Sequence, residues 1–230
     1  MKLIRVVMCL LFFTFWIGCC GKINKIHKQS IGSIPNTSYF IALEYKFNDT
    51  DEEPFAVITG SGVAVSNPYD GVSLIMSAAH VCMGDPGLFF ATPNISVNDI
   101  YGNETKAHIQ ALDLKSDLCI LRIDKNVSVV TISEKRPELL EKVYYVGYPA
   151  GLYAEGVLHK YEGNYSGIEP FGNDIWSFPA TGGASGSPVY NEKSELIGII
   201  SSVHMEFPHC VMGANLSSIN QILESVLSPL

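Results

Sequence analysis

Charge is scarce in this 230-residue chain: Asp, Glu, Lys and Arg make up 17% of it, against 47% apolar residues, so a large core is available. Basic residues are the scarcer sign, with 15 Lys and Arg against 23 Asp and Glu and a net charge of −8. An acidic surface repels phosphate backbones, which excludes nucleic acid as a partner. Long apolar runs are missing too. The N-terminal one, Val6 to Ile17, is shorter than the roughly 18 residues needed to span a bilayer. No internal repeat, low-complexity tract, Cys-x-x-Cys pair or His-Glu-x-x-His helix occurs. His204, Glu206, His209 and Cys210 are interrupted by Pro208 and fit no zinc spacing, so neither a metal nor a cofactor is expected.

Lys2 and Arg5 precede the N-terminal apolar run and a polar stretch begins at Lys22, the pattern of an export signal over residues 1–20. Residues 21–38 then read as a linker, and removing Lys2 and Arg5 with the signal takes the net charge from −8 to −10. Ile17-Gly18-Cys19 resembles the end of a bacterial lipobox, which implies a lipid on Cys19; ordinary cleavage near Gly21 stands beside it as an equal alternative. The product is expected to be exported, whether secreted, periplasmic or lipid-anchored, and to touch a membrane only through such an anchor. Asn36, Asn48, Asn94, Asn103, Asn126, Asn164 and Asn215 all open Asn-x-Ser/Thr triplets, an excess over the one or two expected by chance that would suit a secreted glycoprotein. Past the signal, Cys82, Cys119 and Cys210 permit one disulfide and one free thiol, with the pairing left open. Cys119 lies in a strand pattern and reads as a small buried residue rather than a catalytic thiol.

Three short segments carry chemistry in a fixed order: Ser77-Ala78-Ala79-His80-Val81, Ser116-Asp117-Leu118, and Gly183-Ala184-Ser185-Gly186-Ser187-Pro188. A serine hydroxyl does not ionise at neutral pH, so as a nucleophile it needs a histidine to take its proton and a carboxylate to fix the imidazole tautomer. His80, Asp117 and Ser185 supply those types. Glycines around Ser185 permit a tight turn on which the N–H groups of Gly183 and Ser185 could form an oxyanion hole. Asp113 competes with Asp117, but the apolar run Leu118 to Ile123 starts directly after Asp117 and would bury that position at a strand edge. An α/β-hydrolase is excluded, because its Gly-x-Ser-x-Gly elbow would put glycine at residue 187 and its nucleophile comes first.

These segments, with Val146-Gly147-Tyr148-Pro149 and Leu196-Ile197-Gly198-Ile199-Ile200-Ser201, resemble the chymotrypsin-fold serine endopeptidases, nearest the bacterial glutamyl-endopeptidase and HtrA-type branches. The resemblance runs from about Gly60 to the C-terminal helix. It implies an all-β protein of two six-stranded antiparallel barrels over residues 39–230, with the boundary at roughly 130–142 and the active site between them. Its activity would be hydrolysis of protein or peptide substrates through an acyl-enzyme. The alternative is a catalytically idle fold used as a binding or adhesion module. The resemblance further places the primary pocket's base near Pro179 and its walls near Ala180, Thr181 and Ser201-Ser202-Val203. Digestive-type relatives pair a freshly cut N-terminus with an aspartate before the nucleophile; the residue here is Ala184, so the oxyanion loop must be ordered in another way.

Gly60 to Val65 reads as a strand turning at Asn67 to Gly71 into the strand before His80. Val143 to Val146, Leu158 to Ser166, Trp176 to Phe178 and Leu196 to Ser201 read as second-barrel strands. Ile219, Ile222, Leu223, Val226 and Leu227 recur at helical spacing, predicting an amphipathic C-terminal helix packed on the second barrel.

Overall fold

The computed structural model describes residues 34–46, 53–88 and 93–227. The expected signal, Cys19, the linker up to residue 33 and Asn48 lie outside these. The described fold opens ahead of the expected start at residue 39, with a 3-10 turn over Ile34–Thr37 whose Pro35 and Thr37 are buried.

Strands β1 (Ser38–Tyr45), β2 (Ala56–Tyr69), β3 (Val72–Ala78), β4 (Asn94–Asn98), β5 (Glu104–Lys106), β6 (His108–Asp113) and β7 (Leu118–Ile123) form one antiparallel sheet. Its order is β5-β4-β1-β2-β3-β7-β6. Strands β8 (Lys142–Gly147), β9 (His159–Ile168), β10 (Asp174–Ser177), β11 (Pro188–Asn191), β12 (Leu196–His204) and β13 (Phe207–Asn215) close into a barrel in the order β10-β13-β12-β11-β8-β9. The α-helices among the described residues are α1 (Ala79–Met83) and α2 (Leu216–Leu227). The fold is all-β and chymotrypsin-like, with a C-terminal helix. Its first sheet has seven strands rather than six, because the short, largely exposed β5 adds an edge that no apolar alternation announces.

Strand periodicity sorts the core. Along β3 and β7, Ile75, Cys119, Leu121 and Ile123 face the inside of the first sheet with Ile41, Leu43 and Val97. The intervening Leu74, Met76, Leu118 and Ile120 face the other way, onto Tyr144, Val146, Leu196 and Ile199 of the second barrel. Both faces of β3 and β7 are therefore apolar, which is why they read as continuous apolar runs. The second barrel is filled by Val143, Tyr145, Trp176, Phe178, Val189, Ile197 and Val211.

The helix departs from expectation in its partner. Ile219, Ile222 and Leu223 are buried in the cluster that joins the two sheets, and Ser218 Oγ accepts a 3.0 Å bond from Ser116 Oγ of the loop before Asp117. So α2 packs on both halves rather than on the second barrel alone. Leu227, at the end of the predicted stripe, is exposed. Asn215 caps the helix by accepting from Ser218 N (3.1 Å) while its amide donates to the Gly172 carbonyl (2.6 Å); being buried, it has no room for a glycan in the folded chain.

Candidate active site

Antiparallel pairing of β3 with β7 sets Ala78 opposite Leu118, so the residues just beyond each strand, Ala79 and Asp117, meet. The Ala79 N–H donates to the Asp117 carbonyl at 3.0 Å. His80 follows on the first turn of α1, where its N–H donates to Asp117 Oδ1 (2.9 Å) and its Nδ1 lies 2.7 Å from Asp117 Oδ2. With Nδ1 donating to the carboxylate, Nε2 is left as the basic nitrogen. Asp117 adopts φ of 51°, a left-handed conformation that aspartate tolerates better than most residues. Asp113 instead accepts the N–H groups of Lys115 (3.0 Å) and Ser116 (3.4 Å), which makes it the turn former of the β6–β7 hairpin. A disulfide between Cys82 and Cys119 fastens α1 to β7 two residues beyond each member of the pair, leaving Cys210 free.

Burial pushes the Asp117 carboxyl upward, but hydrogen bonds from the His80 side chain, the Ser201 hydroxyl and the His80 N–H outweigh it and hold the group below its ordinary range. It is thus a stable anion. The His80 side chain is about half exposed, at 48%, and so open to a substrate.

Ser185 lies on the loop between β10 and β11. Gly183 and Gly186 on either side both have φ of 83°. A Cβ on Gly186 would lie 2.0 Å from the Ser61 carbonyl oxygen, and one on Gly183 would lie 2.7 Å from the Tyr148 oxygen, so only glycine fits either place. Ala184 between them is fully buried in the second barrel's core, where a carboxylate would be costly without a partner. Among the described residues, the N–H groups of Gly183 and Ser185 donate to no protein acceptor. The Ser185 hydroxyl donates to the Ser201 carbonyl at 3.3 Å rather than to His80. Ser201 Oγ in turn donates to Asp117 Oδ2, so a chain of hydrogen bonds runs from His80 through Asp117 and Ser201 to Ser185.

The expected pocket residues divide. Phe178 is fully buried and Ala180 nearly so, while Pro179 and Thr181 between and beyond them are exposed. This strand-like alternation leaves Pro179 exposed, and its carbonyl accepts the Tyr145 hydroxyl (3.0 Å). Ala180 takes the inner place, its N–H on the Pro208 carbonyl (3.1 Å). Val203 packs against the barrel core, Ser202 is exposed, and the Ser201 hydroxyl is turned to Asp117. A polar cleft of about 640 Å³ lined by Thr131 to Glu138, Glu141, Asn191 to Lys193 and Glu195 holds none of the expected site residues.

The double-sheet fold with a His-Asp pair and a glycine-bounded serine at the junction defines a chymotrypsin-like protein. The family model of the trypsin-like peptidase domain matches residues 60–199, and the chain belongs to that family. The crystal structure of the serine endoprotease from Yersinia pestis is similar in fold, with a TM-score of 0.68 at 20% identity over 87% of this chain. This chain spans 66% of that protein's length. No curated protein sequence matches it.

Two contributors escaped sequence reasoning. Ser201 was visible as a residue but not as the partner of Asp117, since only a register can say which way a side chain turns. Ser61 sits in the Gly60-Ser61-Gly62 stretch of β2, and nothing in its sequence context distinguishes it from any small strand residue.

Proposed function

We propose that this protein is an exported serine endopeptidase that cleaves peptide bonds through an acyl-enzyme. The observation that carries the reading is the 2.7 Å His80–Asp117 pair, joined through Ser201 to a serine whose loop presents two unclaimed N–H groups. For turnover the Ser185 hydroxyl leaves the Ser201 carbonyl and donates to Nε2 of His80. Oγ then attacks the scissile carbonyl carbon as its proton passes to His80, and the N–H groups of Gly183 and Ser185 receive the developing oxyanion. His80 returns the proton to the leaving amine, and water activated by the same histidine hydrolyses the ester. Asp117 stays ionised and stabilises the imidazolium.

No cofactor enters this scheme. A carboxylate to pair with Lys or Arg is absent from the expected pocket positions, Ile200 stands where the glutamyl branch has histidine, and Val203 stands where a glycine would leave the pocket open. Small or medium apolar residues are therefore the favoured side chains at the cleaved position. The test is hydrolysis of a mixed peptide library by the purified protein and its loss in Ser185→Ala. An idle binding module would give no cleavage in either.

A further inference from the structure

With Ala184 in place of an aspartate, something other than a buried N-terminal ion pair must hold the oxyanion loop, and the hydrogen bonds of Ser61 identify it. Ser61 is fully buried on β2, at the seam with the second barrel. Its Oγ donates to the Gly183 carbonyl (2.9 Å) and accepts the Tyr148 N–H (3.0 Å). Its own N–H donates to the Ser185 carbonyl (2.8 Å), and its carbonyl accepts Ser77 Oγ (2.7 Å). One residue of the first sheet thus grips the nucleophile loop on both sides of Ala184.

The second grip goes through the turn that Ser61 anchors at Tyr148. Gly151 N–H bonds back to the Tyr148 carbonyl (3.1 Å), and Ala150, held at φ of 57°, donates its N–H to the Gly182 carbonyl (2.5 Å). The Gly182–Gly183 peptide carries the Gly183 N–H on its other side. Because the peptide unit is planar, fixing its carbonyl on Ala150 fixes where that N–H points. A flip of this peptide would break the Ala150 bond. Space is closed around the brace: a Cβ on Gly147 would lie 2.9 Å from Ser61 Oγ, and one on Gly186 2.0 Å from the Ser61 carbonyl oxygen.

We propose that Ser61 is a positioning residue that, with the Tyr148–Gly151 turn, locks the oxyanion peptide in its competent orientation and replaces N-terminal activation. This rests on the peptidase reading above. Ser61 touches no substrate, and its effect is confined to the state in which an oxyanion exists.

The test compares wild type, Ser61→Ala and Ser61→Cys, each corrected for folded fraction by the emission of the buried Trp176. Three quantities are measured: kcat and KM on an apolar peptide, inhibition by a tetrapeptide aldehyde ending in alanine, and inhibition by the corresponding peptide acid. Ser185 adds to the aldehyde carbon, its proton goes to His80, and the carbonyl oxygen becomes the oxyanion; the acid forms no such adduct. In Ser61→Ala, kcat and aldehyde affinity should fall together by roughly 10- to 100-fold, with KM and acid affinity within about twofold of wild type. Ser61→Cys, whose thiol is a weaker and bulkier donor, should lie below wild type in both. Unchanged kcat and aldehyde affinity, or an equal loss for aldehyde and acid, overturns the brace while leaving the peptidase intact. If wild type cleaves nothing, the peptidase reading falls and the brace with it.

Discussion

Asp174 offers a perturbation whose size can be worked from the structure. It is 1% exposed at the start of β10, with Oδ1 accepting the Tyr165 hydroxyl (3.1 Å) and Oδ2 without a partner. Burial raises its carboxyl to about 6, against an ordinary 3.8, and the Arg136 charge 3.6 Å away and the Tyr165 bond only partly counter it. A group raised in the folded state favours folding fully below its unfolded value, and that contribution disappears as pH rises through the folded value. The window is therefore about pH 4 to 6, and a shift of this size corresponds to about 3 kcal/mol. Asp174→Asn mimics the protonated carboxyl and keeps the acceptor for Tyr165, so it should unfold at higher urea than wild type at pH 7.5, by about 3 kcal/mol, and the two should converge near pH 4. Slopes from other carboxylates, Asp117 among them, are common to both proteins and cancel in the difference. A variant less stable than wild type at pH 7.5, or a difference independent of pH, would refute the reasoning.

Other perturbations test other links. The Cys82–Cys119 disulfide closes a 37-residue separation, so replacing both cysteines by serine should lower stability by about 3–4 kcal/mol, and reductant should reproduce the drop in melting temperature in wild type alone; a melting temperature indifferent to reductant would count against the bond. Gly186→Ala would set its methyl 2.0 Å from the Ser61 oxygen at a φ of 83°, and should abolish peptide hydrolysis; retained turnover would show that the loop is laxer than described. Profiling on a peptide library should return small or medium apolar residues at the cleaved position, and a profile dominated by Arg, Lys, Glu or Asp would show the pocket to be misread.

What the sequence disclosed follows from what periodicity and chemistry can carry. Asp117 was separable from Asp113 because an apolar run begins at residue 118, and the structure pairs that run with β3 beside His80. The Gly-rich loop was legible because positive φ demands glycine. Side-chain direction was not: that the Ser201 hydroxyl turns to Asp117, and that Pro179 is exposed beside the buried Phe178, follows from register and alternation rather than from the motif. The partner of α2 was half-read, since its apolar stripe says that a face is buried without saying that two sheets bury it. The cysteine pairing stayed open because spacing alone does not bring Cys82 to Cys119; the β3–β7 pairing and α1 do.

Fluorophosphonate labelling of the purified protein, mapped by peptide mass spectrometry, tests the central claim most directly, because only an activated serine displaces the reagent's leaving group. The account predicts modification at Ser185, no modification in Ser185→Ala, and a fall in that variant's peptide hydrolysis by about 10⁶-fold, the order seen when a serine protease loses its nucleophile. An unlabelled wild type, or hydrolysis that survives in Ser185→Ala, would contradict it.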